Sequence, residues 1–137
     1  MTTTHETGHV IGGWLGGGRL VSLDLAPWRL PHSIHVPDPH PLLTLWAGPV
    51  VGIAAPTLIA VVVRRPAGWF VADFCWLANG VYLGLAAWAG DRHLDTPRMI
   101  AAGTPAWCVA MFCLISVSVG YLRFRRDCIA LLTGNVS

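Results

Sequence analysis

Three long apolar runs dominate the chain, at residues 42–63, 67–89 and 105–122, and each is continuous rather than striped. A helix that is apolar on every face, over roughly 18 residues or more, belongs in the 30 Å hydrocarbon core of a bilayer. The first run ends at Arg64-Arg65-Pro66 and the last at Arg123, Arg125 and Arg126. Charge therefore marks the ends of the spans, and Trp69 and Trp88 stand near the two ends of the middle run, where interfacial aromatics belong. A shorter helical stretch, residues 5–18, precedes them and stops at Gly16-Gly17-Gly18. At 1.5 Å per residue it rises about 21 Å, so either it tilts and thins the bilayer or an upstream segment completes it. Residues 19–40 break the pattern. Arg19 to Leu25 alternates like a strand, and Pro27, Pro31, Pro37 and Pro39 forbid a helix, which predicts a β-hairpin or re-entrant strip. The expected fold is one all-α membrane domain over residues 1–137, with about four transmembrane helices and a short hairpin strip after the first.

Interruptions inside these runs carry information. Gly8, Gly12 and Gly16 recur every four residues, the spacing that lets a second helix backbone approach closely in lipid. Gly48-Pro49 in the second span either kinks it and exposes a free carbonyl toward a cavity or is a tolerated proline. Asp73, near the end that carries Arg64 and Arg65, reads as an interfacial carboxylate paired with an arginine. Asn79 lies near mid-span, where an unpaired amide is costly, so it either bonds a neighbouring helix or points into a site.

Composition supports the same class. Of the 137 residues 54% are hydrophobic and only 12% charged, with mean hydropathy +0.57, too few charges to cover a water-facing surface. The net charge of +2, from nine basic residues that are all arginine, excludes a nucleic-acid partner. Cys75, Cys108, Cys113 and Cys128 form no C-x-x-C pair and read as small buried apolar residues. No cleavable signal peptide or internal repeat stands out. The expected location is integral and multi-pass, in a bacterial cell membrane, with the lipid bilayer as a standing partner.

Against this background one segment carries reaction chemistry, His5-Glu6-Thr7-Gly8-His9. Residues four apart share a helix face, so two imidazoles can grip one zinc ion while Glu6 faces the water that the ion activates. Such a site needs a third protein ligand, commonly a carboxylate. Residues 90–98 form the only other dense cluster of ionisable groups, and Asp91 and Asp95 are its candidates. His32, His35 and His40 have no fixed helical spacing and read as solvated loop histidines, outside the site.

Over about its first 100 residues the chain resembles the site-2 protease family of intramembrane zinc metalloproteases. His5, Glu6 and His9 match that family's H-E-x-x-H motif. Leu94-Asp95-Thr96-Pro97-Arg98-Met99-Ile100 resembles its L-D-G-type motif, with Thr-Pro where Gly-Gly is usual, and Ala47-Gly48-Pro49 resembles its A-G-P segment. Gly52 stands where the family often has an asparagine. The resemblance implies Zn2+ held by His5, His9 and Asp95, with Asp91 as the alternative third ligand and Glu6 as general base. It also offers Asn79 as the replacement for the lost hydrogen bond to substrate or oxyanion. Pro97 suits the first turn of a short helix running to Ala102, which favours Asp95 over Asp91. The expected activity is zinc-dependent hydrolysis of peptide bonds in membrane-embedded protein or peptide substrates. Two alternatives stand beside it: a catalytically inactive relative that binds membrane proteins, and a soluble zincin with an apolar core.

Overall fold

The computed structural model describes residues 1–26 and 31–133. In chain order these form α1 (Thr2–Leu15), β1 (Leu20–Asp24), β2 (His32–His35), α2 (Pro41–Val63), α3 (Pro66–Ala89), α4 (Asp95–Ala101) and α5 (Ala106–Leu132). The molecule is mostly helical, and α2, α3 and α5 are long and apolar enough to cross a membrane. Pro41 and Pro66 open α2 and α3, where the missing N–H costs nothing. Leu58, Val62, Leu85 and Leu114 are among the large apolar side chains that the three helices expose, as a hydrocarbon solvent requires. Of about four expected spans, three have the length. The remaining helix, α1, has 14 residues, because the glycines stop it: Gly16 caps it and Gly17 takes a positive φ of 76°.

α1 is held mainly by α2. A Cβ on Gly8 would run into the Ala47 carbonyl, and one on Gly12 into the Ala47 methyl and the Leu43 carbonyl. Two of the three spaced glycines therefore exist to let backbone meet backbone. α2 passes through Pro49 and Pro56 without losing its helix assignment. α5 packs chiefly along α3, through a second small-residue contact formed by Gly80, Ser116 and Gly120.

β1 and β2 pair antiparallel, from Leu20 opposite His35 to Asp24 opposite His32, with an irregularity between Leu20 and Ser22. Residues 27–30, which include Pro27 and Arg29 of the expected strip, lie outside the described residues. Strand alternation buries Ser33 and His35 together and leaves Ile34 exposed, and β2 lies against α1. His35 is thus not a solvated loop histidine: it is 8% exposed, and its ring fills the space that a Cβ on Gly13 would need. His40 is exposed, and His32 is half-buried within reach of the Ser22 hydroxyl at 3.2 Å.

α5 runs ten residues past Leu122, where its apolar run ends, because arginine is a good helix former and no glycine or proline intervenes before Gly134. The arginine expected for Asp73 comes from this extension: its Oδ1 accepts a hydrogen bond from Arg123 Nε at 2.7 Å. Of the cysteines, all free, Cys75 is buried and Cys108, Cys113 and Cys128 are partly exposed.

The loop after α3 leads directly to α4. Gly90 caps α3 in the left-handed region, and the Asp91 carboxylate accepts the His93 backbone N–H at 2.9 Å, so an Asx turn redirects the chain. Met99 then joins Leu45 and Leu83 in a buried apolar cluster, and the Thr96 hydroxyl donates to the Leu83 carbonyl at 2.8 Å. Thr96 is thus a strut that ties α4 to α3.

Candidate metal centre

The helical repeat of α1 sets His5 and His9 one turn apart on its buried side. Each imidazole is fixed from behind. His5 Nδ1 meets Asn79 Oδ1 at 2.8 Å, and His9 Nδ1 meets the Thr44 backbone carbonyl at 2.8 Å. The Asn79 amide cannot be turned round, since its Nδ2 donates to the Cys75 carbonyl, which only accepts. A carbonyl oxygen thus faces each Nδ1, so both Nδ1 atoms carry hydrogen and donate. In a neutral imidazole that leaves Nε2 as a lone pair.

Those two Nε2 atoms converge with a carboxylate oxygen. Asp95 Oδ2 lies 2.9 Å from His5 Nε2 and 3.3 Å from His9 Nε2, and the two nitrogens are 3.1 Å apart. All three residues are buried. Burial alone would push the Asp95 carboxyl up. The hydrogen bonds and charge that His5 and His9 offer when protonated outweigh it, holding the carboxyl well below the usual carboxylate range. With both imidazoles neutral, the Asp95 carboxylate instead faces two nitrogen lone pairs, an arrangement that only a proton or a cation between the three atoms can hold together. A single shared proton satisfies one edge of such a triangle and leaves the third atom without a partner. A divalent cation satisfies all three. Ligands about 2.0–2.2 Å from one tetrahedral zinc stand roughly 3.3–3.6 Å apart, and the observed edges of 2.9, 3.1 and 3.3 Å fall at the lower end of that range or a few tenths of an ångström below it. The donor set fits zinc.

Glu6 stands beside this triangle. One carboxylate oxygen lies with the two histidine nitrogens inside a 4.8 Å group, yet among the described residues Glu6 forms no ion pair with them. Its Oε2 instead accepts a hydrogen bond from Ser33 Oγ at 3.1 Å, so β2 fixes its direction. Glu6, His9, Tyr82 and Asp95 line one cleft of about 460 Å³, closed on other sides by residues of β2 and of the 92–98 segment. The Tyr82 ring meets His5 edge-on, centroids 5.4 Å apart, and Tyr82 lines the same cleft as Asp95. No family model, curated protein or solved structure matches this chain. The chemistry of the cleft is read from its own geometry.

The structure brings His5, His9, Glu6 and Asp95 to one place and leaves Asp91 out: Asp91 is exposed and occupied in its turn. Asn79 is at the site but behind it. Its Oδ1 accepts from His5 and its Nδ2 donates to the Cys75 carbonyl, so in this structure it supports the His5 ring from behind. Gly52 explains how it fits, because a Cβ there would come within 2.8 Å of the Asn79 amide. Gly48 has the matching role for His9, whose ring occupies the place of a Cβ at that position. Thr44, Ser33 and Tyr82 escaped the sequence reading. The hydrogen bond from His9 goes to a backbone carbonyl, which no side chain announces, and Ser33 sits on a strand with no helical spacing to reveal it.

Proposed function

We propose that the protein is a zinc-dependent intramembrane endopeptidase resembling the site-2 proteases, multi-pass, with α1 as a fourth and shorter membrane-embedded helix. The observation that carries this reading is the convergence of His5 Nε2, His9 Nε2 and Asp95 Oδ2 within 3.3 Å while both Nδ1 atoms are engaged elsewhere. His5, His9 and Asp95 would hold the metal, which supplies Lewis acidity and an acidified water. Asn79 and the Thr44 carbonyl keep the two imidazoles in the tautomer that ligation needs. Glu6 takes the proton of the attacking water on its free carboxylate oxygen and delivers it to the leaving nitrogen, while Ser33 holds the other oxygen. The Tyr82 hydroxyl, in the same cleft, steadies the negative charge that develops on the attacked carbonyl oxygen. The cleft, flanked by β2, takes an unwound stretch of substrate and keeps bulk water from it.

Detergent-purified protein, assayed for bound metal beside the Glu6→Gln variant with cleavage of a membrane-segment peptide as readout, tests this. About one zinc per chain in both proteins, with cleavage in the wild type alone, supports the peptidase. Zinc in both and cleavage in neither converts the reading to a metal-bearing binding protein. No zinc in either ends it.

A further inference from the structure

The cleft carries more charge than hydrolysis requires. Arg92 and Arg98 line it together with Asp95 and Glu6. Two arginines of the molecule pair with carboxylates, Arg123 with Asp73 and Arg126 with Asp127. Among the described residues neither Arg92 nor Arg98 forms such a pair. Arg98 is half-buried and lies three residues after Asp95 on α4, so the two project from one side of that helix. A half-buried guanidinium without a counter-ion, opening on a cleft, is a standing site for an anion.

We propose that the cleft selects peptides with an acidic side chain close to the scissile bond, that carboxylate being held by Arg98 with Arg92 at the rim. The proposal rests on the peptidase reading for the word scissile, but the recognition itself is a binding property. A peptide carboxylate fits better than a lipid headgroup for a positional reason. The arginines share their cleft with Glu6, His9 and Asp95 and are walled by β2, whereas the lipid-facing apolar side chains lie on the outer faces of α2, α3 and α5.

The test uses full-length Glu6→Gln protein in detergent and three fluorescent leucine-alanine peptides whose extended flank carries glutamate, glutamine or lysine. The glutamate peptide is expected to bind about tenfold more tightly than the glutamine one, with lysine weakest. Arg92→Gln/Arg98→Gln should erase the difference, Arg98→Lys should keep most of it, and Arg98→Glu should favour the lysine peptide. Equal binding of the three peptides by the protein with both arginines intact overturns the proposal without any variant having to fold. So does a preference that survives the double substitution. Phosphatidylglycerol vesicles that bind through the same two arginines and displace the glutamate peptide would assign the pair to lipid and likewise overturn it. Wild-type protein given the glutamate peptide separates the two ideas: charge-dependent binding without cleavage removes the peptidase and leaves the anion subsite standing.

Discussion

Of the buried carboxylates among the described residues, Asp73 and Asp95 stand toward opposite ends of α3, and they are used differently. Asp73, near the start of α3, has one strong partner: its Oδ1 takes Arg123 from α5, and among the described residues its Oδ2 has none. Asp95, just beyond the end of α3, presents a single oxygen to two nitrogens that are themselves held from behind. The first arrangement joins one cation to one anion and binds two helices together. The second gathers three acceptors around one point and needs a cation to complete it. Burial and charge are common to both, so neither marks a functional carboxylate. What separates them is convergence, and the outer supports that enforce it.

The largest effect expected is at the convergent end. Glu6→Gln should lower peptide hydrolysis by about 10²–10⁴-fold while leaving metal content and helicity unchanged, because the amide keeps the shape and cannot take a proton. Residual cleavage above about a hundredth of wild type would remove Glu6 as the base. Next, Asp95→Ala should cost more than about 100-fold in zinc affinity, beyond what loss of an outer support costs, whereas Asp73→Asn should leave affinity unchanged. Equal metal loss in both variants, read by competition with a chelating dye, would mean that the two carboxylates do not differ in kind. Asn79→Ala comes third, with about 10–100-fold weaker zinc binding, since His5 loses the partner that fixes its tautomer. If Asn79→Ala binds metal normally, the support is structural only. Arg123→Gln should cost roughly 1–2 kcal/mol of stability in detergent, discounted for the partial exposure of the guanidinium, and leave zinc binding untouched. Smallest of all, Asp91→Ala should stay within about 0.5 kcal/mol and leave zinc binding intact, as expected for a surface turn.

The same contrast explains what could be read from the sequence. Spans made of continuous apolar residues announce themselves, as α2, α3 and α5 did, and so does a fixed spacing such as that of His5 and His9. The strand alternation of residues 20–24 was legible for the same reason, because period and residue type coincide. Pairings between distant elements were not. That Asp73 needs an arginine follows from its place near the end of its span, but which arginine does not, and α5 supplies Arg123 where its apolar run ends. His35 looked solvated because a lone histidine beside prolines carries no periodic signal, and only the strand register shows that it points at α1. Asn79 was recognised as a residue that must bond something, but its direction depends on how α1 and α3 face each other across the site.

The contact between His5 and Asp95 joins residues 90 positions apart in the chain. Synthesis proceeds at about 5–20 residues per second, so roughly 5–18 seconds separate the appearance of the first histidine from that of the aspartate. During that interval α1, α2 and α3 are made in turn, and the carboxylate corner of the triangle does not yet exist. A chain interrupted before α4 would carry the histidines and glutamate without the charge that holds them to one point. Distance along the chain thus acts as a timer, closing the centre only after the helices that enclose it have been built.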